Sequence, residues 1–96
     1  MAVSGARRNP LRNLLIRLVW DSSLNPGDYV ISFRSRGAPS GVEAVRGDAL
    51  EKVYLRGFEA RVGGRVRYIP FHRVVEVRNE ATGEVLYSSR KALEEK

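Results

Sequence analysis

FEARVGGRVRYIPFHRVVEVR, residues 58–78, decides the fold. Residues alternate in character on both sides of Gly63-Gly64, which predicts two antiparallel strands joined by a tight turn. Pro70 has no N–H to donate, so it interrupts the pairing, and apolar alternation resumes from Val74 as a new strand. Two hairpin registers are open. A two-residue Gly-Gly loop pairs Phe58 with Ile69 but sets Ala60 opposite Arg67 on the same face. A three-residue loop over 62–64 pairs Phe58 with Tyr68 and Ala60 with Val66, and sets Glu59 across from Arg67. The second keeps one face apolar and is the register expected. It turns Arg61, Arg65 and Arg67 toward solvent.

Upstream, YVISFRSRG (29–37) alternates Tyr29, Ile31 and Phe33 with Ser32, Arg34 and Arg36, the pattern of a half-buried strand. Before it, NPLRNLLIRLVWD reads as a helix. Asn9 suits the N-cap, Pro10 suits the first helical position, and Leu11, Leu14, Leu15, Leu18 and Val19 form one stripe. NPGD (25–28) predicts a turn. A short strand is expected at 42–46, a helical turn capped by Asp48 in GDALEK, and a slip of the alternation at Gly57. Downstream, EVLYSS returns after the turn EATG, with Val77 expected opposite Leu86. The fold class is therefore α+β: one N-terminal helix packed on a mostly antiparallel sheet of about five strands, with one extra helical turn. Residues 1–8 read as a disordered basic N-terminus, 9–90 as a single domain and 91–96 as a frayed tail.

The 96 residues are 43% hydrophobic, enough for one modest core. No run of apolar residues is long enough to span a membrane, and no secretory leader precedes the helix, so a cytoplasmic protein is expected. Cysteine is absent and His72 is the only histidine, which removes thiolate and imidazole-rich metal sites; no metal and no cofactor are assigned. The net charge is +6 and the pI about 10.3. Residues 34–78 carry ten bases against five acids, and only Lys52, Lys91 and Lys96 are lysines. Guanidinium groups offer a planar fork of donors that matches phosphate, so nucleic acid is the partner this surplus suggests.

His72 follows Pro70 where the chain re-enters the sheet. A lone histidine is ordinarily a half-buried ring bonded to a nearby carbonyl. Beside Arg73, however, the guanidinium disfavours a charged imidazole unless an anion bridges the two, and a phosphate would accept from both. Phosphodiester cleavage without a metal usually takes a base and an acid, and only one histidine is present, so no catalytic residue is assigned. GAPSG (37–41) is neither a Walker loop nor GxGxxG. Tyr29, Phe33, Phe58 and Tyr68 alternate inward as core, whereas Trp20 and Tyr54 are free to stack on a base.

LIRLVWD, DYVISFRSRGAP, YIPFHRVVEVR and GEVLYSS, in that order, resemble a small archaeal protein family classed as uncharacterised and also described as the RNA cyclic-group-end recognition domain. The similarity spans about residues 9–90. Its most specific pieces are Ile69-Pro70-x-His72-Arg73, Trp20-Asp21 and Arg34-x-Arg36-Gly37. The resemblance implies binding of single-stranded RNA 3′ ends that bear a 2′,3′-cyclic phosphate or related terminal phosphate. A free-standing copy would serve RNA-processing enzymes in trans. On that reading Arg34, Arg36, His72 and Arg73 contact the terminal phosphate, and Arg61, Arg65 and Arg67, with the helix arginines, follow the backbone. Two alternatives stand beside it: a basic adaptor that docks an acidic protein, and a phosphodiesterase using His72 alone.

Overall fold

The computed structural model describes residues 9–89. The expectations for residues 1–8 and for the tail 91–96 lie outside that range. Helix α1 runs Pro10–Trp20 and starts as its sequence dictates: the Asn9 side chain accepts from the Arg12 N–H at 3.1 Å, and Pro10 stands in the first turn. Leu11, Leu15 and Leu18 are buried, while Val19 lies at the margin of the stripe and Trp20 is 79% exposed. The helix ends at Asp21, whose N–H donates to the Arg17 carbonyl. The Asp21 carboxylate accepts from the Ser23 hydroxyl at 2.6 Å and the Ser23 N–H at 2.9 Å. Those bonds, the hydroxyl foremost, hold the Asp21 pKa below its ordinary value. No helix among the described residues is long and apolar enough to cross a membrane.

Seven strands follow among the described residues: β1 Tyr29–Arg34, β2 Val42–Arg46, β3 Leu50–Val53, β4 Gly57–Val62, β5 Arg65–Pro70, β6 Val74–Asn79 and β7 Val85–Ser88. The α+β class is as read from the sequence, but the strands form two antiparallel sheets rather than one of about five strands. One has the order β2-β1-β6-β7 and the other β3-β4-β5. The chain changes sheet twice, each time through a single 3-10 turn, Gly47–Ala49 and Phe71–Arg73. The opening histidine-arginine pair therefore stands at a sheet junction. The apolar faces of the two sheets enclose one core with α1, built on Leu15, Ile31, Phe33, Phe58, Val74 and Val77. The helix closes the side, packing on β3 and the 47–49 turn. Asp48 lies inside that turn and makes no capping bond to it. The slip at Gly57 is a turn over 54–56, after which Gly57 opens β4.

Two registers differ from expectation. The β4–β5 hairpin takes the two-residue loop: Val62 pairs with Arg65, Ala60 with Arg67 and Phe58 with Ile69. Gly63 and Gly64 both have positive φ, 61° and 84°, a pair of left-handed residues that matches the twist of the strands. Arg67 consequently faces inward beside Ala60 instead of toward solvent. It is accommodated because its Nη1 donates to Glu43 Oε1 at 3.2 Å and its guanidinium lies 5.9 Å from the centre of the Phe33 ring. Glu59 faces Tyr68 instead. In β6–β7, Val77 pairs with Tyr87, not Leu86, because a bulge between Val77 and Arg78 shifts the register by one residue.

Candidate anion-binding cleft

β1 and β6 are antiparallel neighbours with Phe33 opposite Val74. That register alone brings the end of β1 beside the start of β6, so Arg34 meets Arg73. A bulge at Ser32/Phe33 in this ladder re-aims the side chains there. Past Arg34 the chain folds into a compact turn, held by Ser35 N–H to Gly41 O at 2.9 Å and Gly41 N–H to Ala38 O at 2.9 Å. Gly41, at φ 82°, is the residue that allows the return into β2. The result is an open cleft of about 420 Å³ lined by Arg34, Ser35, Arg36, Gly41, His72 and Arg73. Arg34 and Arg36 come from one side and His72 and Arg73 from the 3-10 turn opposite.

The electrostatics are one-sided. Among the described residues, the side chains of Arg34, Arg36, His72 and Arg73 make no hydrogen bond or ion pair, and no carboxylate lines the cleft. His72 is exposed, so the half-buried, carbonyl-bonded ring considered as an alternative is not what forms. Glu43 stands behind Ser35. The Ser35 hydroxyl donates to one Glu43 oxygen and Arg67 to the other. Ser35 is itself 6% exposed. Arg67 thus offsets the charge of a carboxylate that would otherwise repel an anion in the cleft.

The other residues singled out from the sequence lie elsewhere. Arg61 pairs with Glu51, and Arg65 is exposed beside the hairpin turn. Of the helix arginines within the described range, Arg12 donates to the Tyr54 carbonyl at 2.9 Å and Arg17 lies 3.9 Å from Asp21. Trp20 and Tyr54 do not line the cleft. Tyr54 sits 6.0 Å from Tyr68, centre to centre, with Lys52 over its ring at 5.6 Å. Its phenol bonds to Glu59, which raises its pKa. Tyr68 is 50% exposed rather than core. Ser35 and Gly41 were not anticipated. Ser35 carried a signal, a small polar residue at an inward position between two arginines.

A family model described as the MJ1316 RNA cyclic group end recognition domain matches residues 8–89. Relatives agree over nearly the same span. A UPF0248 protein of Methanococcus maripaludis is 34% identical over 82 residues, covering 83% of this chain and 99% of its own. One from Pyrobaculum calidifontis is 42% identical over 81 residues, 84% and 99% of the two chains. One from Pyrobaculum islandicum is 52% identical over 58 residues, 60% of this chain and 68% of its own. The chain belongs to the MJ1316 RNA cyclic group end recognition domain family. No solved structure matches it. Within the family domain, the Ile69-Pro70-x-His72-Arg73 segment spans the end of β5 and the 3-10 turn at the cleft, and Arg34-x-Arg36-Gly37 forms the opposite wall and the turn beyond it.

Proposed function

We propose that this MJ1316-family domain binds single-stranded RNA 3′ ends through a terminal phosphate, 2′,3′-cyclic or closely related, without chemistry of its own. The observation that carries this is the convergence of Arg34, Arg36, Arg73 and His72 on one cleft, unpaired with any acid among the described residues. Charge-assisted bonds from guanidinium to phosphate are short and strong, and a fork on each side of the cleft fixes orientation as well as affinity. The family description supports a cyclic end. Charge alone would favour a linear phosphate, which carries a second negative charge at neutral pH, so preference for the cyclic group must come from shape. A single imidazole facing no carboxylate partner handles one proton, which fits binding better than cleavage. Arg61 and Arg67, already committed to carboxylates, add to the general field rather than to end contacts. A cytoplasmic setting, with RNA-processing enzymes acting beside the domain, completes the reading.

The test is fluorescence anisotropy with one RNA carrying a cyclic phosphate, a linear 3′-phosphate or a 3′-hydroxyl. The cyclic end should bind tightest, and Arg36→Ala, His72→Ala and Arg73→Ala should each erase most of the difference. Equal affinity for the three ends rejects end recognition. Binding to none of them, with retention by an acidic protein instead, would favour the adaptor reading.

A further inference from the structure

We infer that the outer face of the four-stranded sheet is the track along which RNA enters the cleft, with Arg46 and Arg78 as its phosphate contacts. This rests on the cleft reading above. Because Tyr29, Ile31, Phe33, Val45 and Val77 face the core, strand alternation turns Val30, Ser32 and Arg34 outward. Their cross-strand partners follow: Val42 opposite Arg34, Ala44 and Glu76 opposite Ser32, Arg46 and Arg78 opposite Val30. This face carries Arg34, Arg46 and Arg78 against one acid, Glu76. Glu76 is taken up by the Nε and Nη2 of Arg78, each at 2.7 Å, which leaves the outer Nη1 of Arg78 to meet a phosphate. The side chain of Arg46 makes no hydrogen bond or ion pair among the described residues.

Three features select a polynucleotide as the occupant. Arg34 belongs both to this face and to the cleft, so the two are continuous. Ser32 and Ala44, small residues at its centre, let a backbone lie close. Arg46 and Arg78 flank Val30 on opposite sides, about 10 Å apart, and Val30 is about 13 Å along the strand from Arg34, too far for the terminal phosphate alone to reach all three arginines. The far end is marked by charge reversal. A hollow of about 270 Å³ there is lined by Asp28 and Glu80 beside Arg46, and those acids turn a phosphate backbone away. The track is therefore short, a few nucleotides beyond the terminal one.

The experiment compares a dinucleotide and a hexanucleotide with the same 2′,3′-cyclic end, in wild type and in the double variant Arg46→Gln, Arg78→Gln. Wild type should bind the hexanucleotide about tenfold tighter, and the double variant should bind the two alike. Each lost phosphate contact lowers the hexanucleotide's salt slope by about 0.7, so about 1.4 in all, while the dinucleotide's slope stays put. Glu76→Gln, which removes the acid on the face, should tighten the hexanucleotide alone. A double variant that keeps the full length-dependent gain, or that weakens both ligands equally, overturns the track. Length-independent binding by wild type overturns it too and leaves the cleft standing, whereas wild type binding neither ligand removes both.

Discussion

At the scale of single residues, the account turns on which charges are free. Arg67 is a positioning residue: it touches Glu43 and Phe33, not the cleft. The pair is partly exposed, so truncating it costs about 1 kcal/mol of stability or less. Arg67→Met should nevertheless weaken binding of phosphate-ended RNA several-fold, because it leaves the Glu43 charge behind Ser35 uncompensated. Adding Glu43→Gln to that variant should restore most of the loss. An unrestored double variant would show that Arg67 acts otherwise. His72 gives a second expectation. Its exposed ring lines the cleft and has no bonding partner among the described residues, so His72→Gln should weaken binding of the cyclic-ended RNA several-fold by anisotropy; unchanged affinity would remove the ring from the contact.

Elements divide into those legible in the sequence and those set by tertiary context. The α1 stripe and the alternation of β1 are patterns of period 3.6 and 2, and both elements formed, but Val19 stays exposed and β1 ends at Arg34, so Arg36 lies in the turn beyond the strand expected to run to Gly37. The hairpin register was misjudged because an arginine opposite Ala60 looked forbidden. Glu43 and the Phe33 ring, remote in sequence, make it acceptable. Gly47 shows a similar remote constraint. A Cβ there would stand 2.5 Å from the Pro26 carbonyl oxygen, a backbone atom that cannot swing away. Gly47→Ala should therefore destabilise by about 1–3 kcal/mol, measured by urea unfolding, through displacement of the turn that joins the sheets. The end of α1 carries a pH signature. The Asp21 pKa is lowered by Ser23, so its stabilisation is complete above the ordinary aspartate value and is lost as pH falls through the lowered folded value. Asp21→Asn should remove that part of the acid dependence of the melting temperature; an identical acid limb in the variant would contradict it.

For the whole molecule, the class was readable and the assembly was not. Patterns of alternation name strands, but they do not say which sheet a strand joins. The two 3-10 turns that switch sheets are too short to leave a period. The same limit applies to the site. Arg34-x-Arg36 and His72-Arg73 were each visible as motifs, yet their meeting depends on the pairing of β1 with β6. The basic surplus, similarly, could be counted but not placed. Arg61, Arg67 and Arg78 pair with carboxylates, while Arg34, Arg36, Arg46 and Arg73 make no such pair among the described residues. The measurement that bears most directly on the cleft is an NMR titration of the labelled domain with a dinucleotide ending in 2′,3′-cyclic phosphate. Saturable shifts should appear at the Arg34, Arg36 and Arg73 side chains, the Gly41 amide and the His72 ring, and be absent with the 3′-hydroxyl dinucleotide. Shifts centred on Trp20 and Tyr54, or none at the cleft, would contradict the account.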